Sequence, residues 1–217
     1  MKSCGGVWLP DHETHMVEWM THNNVKIDGK LTYQWGKLVA AMQEVRSFRT
    51  AVDAGAHCGT WSMHMVNRFS RLVAFEPVLE HRECLLKNVN GSAGNVTLIA
   101  CALGEKEGSI RMDVPPGSSG GTHVAGDGDI PLATLDSFKL TEVDFLKVDV
   151  EGFEYPLIKG AEQTIRRDRP VIVIEQKPKG LAERYGYKRM QAVELLQSWG
   201  ATVKFEMSGD FCLTFPA

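Results

Sequence analysis

The sequence predicts an α/β fold: a mostly parallel, seven-stranded sheet with helices on both faces and an antiparallel last strand. Three observations carry that prediction. Short apolar runs alternate with helix-patterned segments at intervals of roughly twenty residues, the rhythm of strands joined by crossover helices. A glycine-bearing turn follows the first buried run, at Asp53-Ala54-Gly55-Ala56-His57-Cys58-Gly59. The chain then closes on two strand-like runs separated by Ser208-Gly209-Asp210, a hairpin-like turn.

Taken in order, residues 1–48 read as an N-terminal helical segment ahead of a main domain over 49–217. Its first thirty residues are rich in His, Asp and Trp, and a helix is expected from Leu31 to Phe48, where Leu38, Ala41, Met42 and Val45 recur at helical steps. Strands are expected at 50–53 and 72–76, with a helix over 61–69 between them and another over 78–89 after them. A third strand follows at 95–100. The alternation then breaks at an extra strand near 109–114 and a Gly/Ser/Pro loop over 115–128; loops of that length are usually functional. It resumes with a strand at 144–149, a helix over 154–165, a strand at 171–175 and a helix over 190–199. Strands at 202–207 and 211–215 complete the set.

The 217 residues, 43% hydrophobic, suit one compact domain. A net charge of −3 provides no general attraction for nucleic acid or anionic membrane. The one basic stretch, Arg166, Arg167 and Arg169 with Lys177, Lys179, Arg184, Lys188 and Arg189, reads as a solvated face. The five scattered cysteines form no paired motif and are expected as reduced, mostly buried thiols, which suggests a cytoplasmic protein. Nothing in the sequence indicates an oligomeric state.

Two segments mark a ligand site. The Gly55–Gly59 turn lies between a strand and a helix, where bare backbone can approach a ligand. Glu76, followed by Pro77, stands at the tip of the next strand, roughly twenty residues after Asp53, where an acid accepts hydrogen bonds from ribose hydroxyls. The G-x-G-x-x-G signature of nicotinamide binding is missing, because His57 and Thr60 occupy two of its glycine positions. The turn therefore suits a nucleoside ligand without a pyrophosphate, such as S-adenosyl-L-methionine.

The segments from Asp53 to Ser62, Val73 to Pro77, Pro131 to Phe138, Val143 to Glu154, Leu157 to Ala161 and Pro170 to Glu175 resemble the FkbM family of S-adenosylmethionine-dependent methyltransferases. Lys147-Val148-Asp149-Val150-Glu151-Gly152-Phe153-Glu154 is the most distinctive of them. The resemblance covers about residues 50 to 176. It implies the Rossmann-like class I methyltransferase fold and methyl transfer, commonly to a hydroxyl of a sugar, lipid or polyketide-like product. It also implies that Asp53, Gly55, Ala56, His57 and Gly59 form the methionine-side loop, that Glu76 and Pro77 hold the ribose, and that Ala102 and Leu103 lie near the adenine. His57 departs from the family's usual Asn and adds a group that can act as a base.

Methyl transfer to a hydroxyl requires alignment and removal of a proton. Ligands of such sheets sit outside the carboxyl ends of the strands, which directs attention to Asp149, Glu151 and Glu175. Asp149 is the leading candidate for base or acceptor-orienting residue, with Glu151 beside it, while Glu154 is expected to cap a helix. The same acids can attract Mg²⁺, although their spacing does not demand a metal, and none is assigned. A metal role for His12, His15 and His22 yields to a reading of residues 1–30 as amphipathic, with Trp8 and Trp19 packed inward. That segment and the Gly117–Gly121 loop are expected to cover the acceptor pocket, with His123 a further candidate base. The expected acceptor is a small molecule or glycan; nucleic acid methylation and a non-catalytic binding module are the alternatives.

Overall fold

A computed structural model describes residues 1–89, 94–177 and 180–216. Its centre is a seven-stranded sheet: β1 (Thr50–Ala54), β2 (Arg71–Phe75), β3 (Val96–Ile99), β4 (Val143–Val148), β5 (Val171–Glu175), β6 (Thr202–Met207) and β7 (Asp210–Thr214). The strand order is β6-β7-β5-β4-β1-β2-β3. All pairings from β5 through β3 are parallel, while β7 is antiparallel to both β5 and β6. This is the mostly parallel seven-stranded sheet with an antiparallel last strand that the alternation and the closing hairpin predict.

Side chains alternate across the sheet. Val52, Ala54, Val73, Phe75, Leu146 and Ile172 face one core, shared with Leu157, Ile165 and Leu196. These come from helices α5 (Glu154–Lys159), α6 (Glu162–Asp168) and α7 (Gln191–Ser198). Ala51, Leu72, Phe145 and Val173 face the opposite core, against Leu38 and Ala41 of α2 (Trp35–Met42) and Met65 of α3 (Ser62–Met65). Helix α4 (Leu79–Asn88) follows β2.

Three elements differ from expectation. Residues 1–48 are not helical throughout: they contain a hairpin of Lys2–Cys4 with Val7–Leu9, helix α1 (His15–Asn23), a second hairpin and then α2. Lys30–Leu31 pairs with Lys26–Ile27 around Asp28-Gly29, both with positive φ, a signature of a tight hairpin turn. Left-handed Gln34 then delays the helix to Trp35. The helix expected over 154–165 is two helices, because Asp136 accepts hydrogen bonds from Gln163 N and Thr164 N (2.9 Å each) and starts α6 separately. The 115–128 stretch holds a short 3₁₀ turn at Ser119–Gly121, and His123–Val124 pairs with Met112–Asp113.

The N-terminal segment shares a core with the sheet domain: Val7, Leu9, Met16 and Met20 pack with Ala56, Cys58, Met63 and Leu85. Trp8 and Trp19 are half-buried, the former beneath the Lys87 ammonium (3.9 Å) and the latter against Tyr33. Cys58, Cys84, Cys101 and Cys212 are buried free thiols, and Cys4 is half-buried. Among the described residues no helix is long and apolar enough to cross a membrane.

Candidate active site

A cavity of about 300 Å³ opens at the carboxyl ends of β1, β2, β4 and β5. Its floor begins at Gly55, where φ is +74° and a Cβ would stand 1.9 Å from the Asp149 carbonyl oxygen. Only glycine fits there, so β1 and β4 converge at the point where their following loops diverge.

The turn's own donors do not face the ligand space as expected. Gly55 N and Ala56 N both donate to Phe75 O (3.1 and 3.0 Å), and His57 N donates to Glu76 Oε2 (2.8 Å). The turn is therefore bonded to β2 and offers the cavity close backbone and the His57 ring. Gly59 packs on Leu85 and is not in the cavity wall. Asp53 is also away from the wall: it is fully buried, accepts from Ser62 Oγ (2.6 Å) and lies 3.4 Å from Lys147 Nζ. Its carboxylate holds a cation in place under the turn.

Glu76 is 4% exposed and lines the cavity with Pro77. Besides His57 N, its carboxylate accepts from Val78 N (2.9 Å) and lies 3.3 Å from His81 Nδ1. A carboxylate has about four acceptor positions, so this one is rigidly aimed and keeps limited capacity for outside donors. Phe75, Cys101, Ala102 and Leu103 form an apolar flank beside it.

The opposite wall carries Asp149, Glu151 and Glu175, each of which places one carboxylate oxygen within 4.8 Å of the others'. They are threaded with lysines. Lys147 Nζ donates to Gly55 O (3.0 Å) and lies 3.5 Å from Asp149 Oδ2, and burial is outweighed by Asp53 and Asp149, which hold it charged. Lys177 Nζ contacts Glu175 Oε1 and lies 3.9 Å from Glu151 Oε1. Lys37 pairs with Asp210 behind them. Burial pushes Asp149 up, but Lys147 and Lys177 prevail and hold it below the usual carboxylate range. Glu151 goes the other way: burial, then the Asp149 charge, push it up to about 7. Glu175 is pushed well above its usual range by burial and by the charges of Asp149 and Glu151.

Glu151 and His57 both line the cavity and both adopt left-handed backbone, at φ +53° and +51°. Such conformations cost about 1–2 kcal/mol for a residue with a side chain, and they concentrate at functional sites. The loop conformation of Glu151 is held by Glu154, whose Oε1 accepts from Val150 N and Gly152 N (3.1 Å each). Glu154 thus caps this turn and lies outside the cavity wall.

Other candidates lie elsewhere. His123 bonds to Gly121 O (2.9 Å) and faces Asp113 rather than the cavity. His12 is 3.7 Å from Glu80, and His15 begins α1 at the cavity rim. The carboxylates above are the one group of three His, Cys, Asp or Glu side chains, among the described residues, close enough to share an ion. Much of the basic stretch is paired: Arg166 with Glu162, Arg167 with Asp168, and Arg189 with Gln176 O. Lys179 lies outside the described residues. Sequence reading assigned no role to Lys147, Glu13 or Ser119, although Lys147 sits within the distinctive segment at the right alternation to share a side with Asp53 and Asp149. Lys177, expected on a solvated face, instead lines the cavity beside Glu175.

Residues 53–198 match the model of the methyltransferase FkbM domain. The hexuronic acid methyltransferase AglP of Haloferax volcanii is 28% identical, over 56% of this chain and 53% of its own length. The methyltransferase sdnD of Sordaria araneosa is 24% identical, over 60% of this chain and 67% of its own. The chain thus spans about half of the first relative and two thirds of the second. The structure of a methyltransferase FkbM from Methylobacillus flagellatus superposes with a TM-score of 0.51 at 21% identity, covering 78% of this chain and 44% of that one. A methyltransferase from Geobacter sulfurreducens reaches 0.53 at 14% identity over 96% and 91%; at these identities the likeness is one of fold. With two thirds of its residues matched to the family model, in the order the fold requires, the chain belongs to the FkbM methyltransferase domain family.

Proposed function

We propose that the chain is an S-adenosylmethionine-dependent methyltransferase acting on a hydroxyl of a small or glycan-like acceptor. The observation that carries this reading is one cavity with two unlike carboxylate walls, Glu76 on one side of Gly55 and the Asp149–Glu151–Glu175 cluster on the other. The bare Gly55 approach, the aimed Glu76 carboxylate and the apolar flank of Phe75, Ala102 and Leu103 fit an adenosyl amino acid. Glu76 would hold the ribose, Ala102 and Leu103 the adenine edge, and Gly55, Ala56 and His57 the amino-acid end. When bound, the cofactor supplies an electrophilic methyl group on a positively charged sulfur that leaves as a thioether.

The chain's residues supply positioning and a proton acceptor. Asp149, held ionised by Lys147, accepts a hydrogen bond from the acceptor hydroxyl and orients it. Glu151, with its affinity for protons near neutrality, takes the hydroxyl proton as the new C–O bond forms. The proton on Glu151 balances the positive charge lost from the sulfonium, and Lys177 stays beside Glu151 and Glu175 throughout. A relative that is a hexuronic acid methyltransferase supports a sugar-like acceptor.

Calorimetry with S-adenosylhomocysteine tests the assignment. Wild-type protein is expected to bind it, and Glu76→Ala to weaken binding about 100-fold, the worth of charge-assisted hydrogen bonds. Binding unchanged in Glu76→Ala, or preference for NADH, overturns the cofactor assignment. Turnover on a panel of sugars and uronic acids then tests the acceptor; failure on all of them, with tight cofactor binding retained, points to a binding module.

A further inference from the structure

We infer that Glu13 and Ser119 are positioning residues that fix the His57 imidazole toward the bound cofactor, joining the roof of the cavity to its floor. Only the identity of the ligand rests on the methyltransferase reading.

Glu13 lies before α1 and is fully buried. Among the described residues no lysine, arginine or histidine pairs with it. Burying a lone carboxylate is costly unless hydrogen bonds replace water. Here three do: Met16 N donates to Oε1 (2.7 Å), while Ser119 N (2.6 Å) and Ser119 Oγ (2.5 Å) donate to Oε2. Ser119 is itself fully buried, in the Gly117–Gly121 loop. Alongside, Gly117 O accepts from Thr14 N (3.0 Å), Thr14 Oγ1 (3.0 Å) and His15 N (3.2 Å). Residues 13–16 and 117–119 are therefore gripped together, and His15, Met16, Ser118 and Ser119 of these two segments line the cavity.

The chain of bonds continues to the floor. Ser119 Oγ lies 2.8 Å from His57 Nε2. An ionised carboxylate only accepts, so the serine proton points to Glu13 and the serine lone pair must receive the proton on Nε2. That fixes the neutral tautomer of His57, with its lone pair on Nδ1, and burial keeps the ring neutral by pushing its pKa well below the ordinary range. The main chain of the same residue donates to Glu76. One path of hydrogen bonds thus runs from Glu76 through His57 and Ser119 to Glu13, across four segments of the chain. The remaining ring nitrogen can only accept, which suits a donor such as the ammonium of the cofactor's amino-acid end.

The tautomer is read without ligand by long-range proton–nitrogen NMR of the His57 ring. The expected result is protonation at Nε2 in wild type and a mixture of tautomers in Ser119→Ala. Calorimetry with S-adenosylhomocysteine adds a cycle. Ser119→Ala is expected to raise Kd about tenfold, the scale of one hydrogen bond. In a His57→Asn background the same change is expected to have no further effect, because Ser119 acts through the ring. Glu13→Gln, which sets an amide donor against a backbone or serine donor, is expected to weaken binding at least as much; near-ultraviolet circular dichroism verifies its fold. Protonation of His57 at Nδ1 in wild type overturns the inference, as does an equal loss from Ser119→Ala in both backgrounds. If wild type shows the Nε2 tautomer but ignores S-adenosylhomocysteine, the cofactor reading fails and the positioning chain stands.

Discussion

On the Glu76 side of the cavity, acids are met by donors that the fold supplies: His57 N and Val78 N for Glu76 in the wall, and Ser119 and Met16 for Glu13 buried behind the roof. On the Glu151 wall, acids are met by one another. Asp149, Glu151 and Glu175 crowd within 4.8 Å, and Lys147 and Lys177 offset only part of their charge. The first wall is preorganised, since its carboxylates are held by donors that the backbone and neighbouring side chains fix in place. The second is electrostatically frustrated, and a frustrated carboxylate is one whose proton moves near neutral pH. A binding wall and a chemical wall are thus distinguished by how fully their polar groups are satisfied, before any substrate is considered.

Changes that erase the frustration should have the largest effects. Glu151→Gln is expected to lower kcat by about 10²–10⁴-fold, the usual worth of a positioned base, while S-adenosylhomocysteine affinity changes little. In wild type, kcat/KM should rise with pH through an ionisation near 7 as Glu151 loses its proton, and this step should vanish in the variant. A pH profile identical in both proteins would move the base elsewhere. Next in size is Lys147→Met. It leaves Asp53, which is fully buried, without its cation and should cost about 3–5 kcal/mol by chemical denaturation. Near-neutral stability would show that Ser62 alone satisfies Asp53.

The smallest effect concerns pH and stability. Glu151 and Glu154 are both raised to about 7 from an ordinary 4.5, so the folded protein holds their protons more tightly than the unfolded chain. Their contribution is fully present below pH 4.5 and is lost as pH rises through 7. His57, lowered well below its ordinary range, and His64, lowered to about 4, act in the opposite sense, chiefly below an ordinary 6.5, while Glu175, raised further, adds to the fall. Unfolding free energy of the ligand-free protein should therefore fall between pH 6.5 and 7.5, by about 1 kcal/mol. A rise over that interval would mean that the carboxylate wall is better paired than its geometry indicates.

The legible parts of the site were those written in one stretch of chain. Gly55, Glu76, Asp149 and Glu151 each stand at a strand end, and a strand end can be located from apolar periodicity alone. Asp53 belongs to the same stretch, yet its side chain turns inward to Lys147, because in a strand one residue's shift in alternation decides which face it meets. The helix expected over 31–48 covers only Trp35–Met42, and its late start has a readable reason, since Asp28-Gly29 is a hairpin signal placed beside an apolar run. Glu13 and Ser119 carried no such sign. Each is an ordinary polar residue in an irregular segment.

The order of strands and helices, the glycine turn and the acids at the strand tips follow from the sequence alone, because hydrophobic period and backbone sterics act over a few residues. Which acids are paired, which are crowded and which one is buried alone was decided by tertiary structure. Those properties depend on distances between groups as remote in sequence as Glu13, His57 and Ser119, and electrostatic energies in a poorly solvated cavity change steeply with such distances.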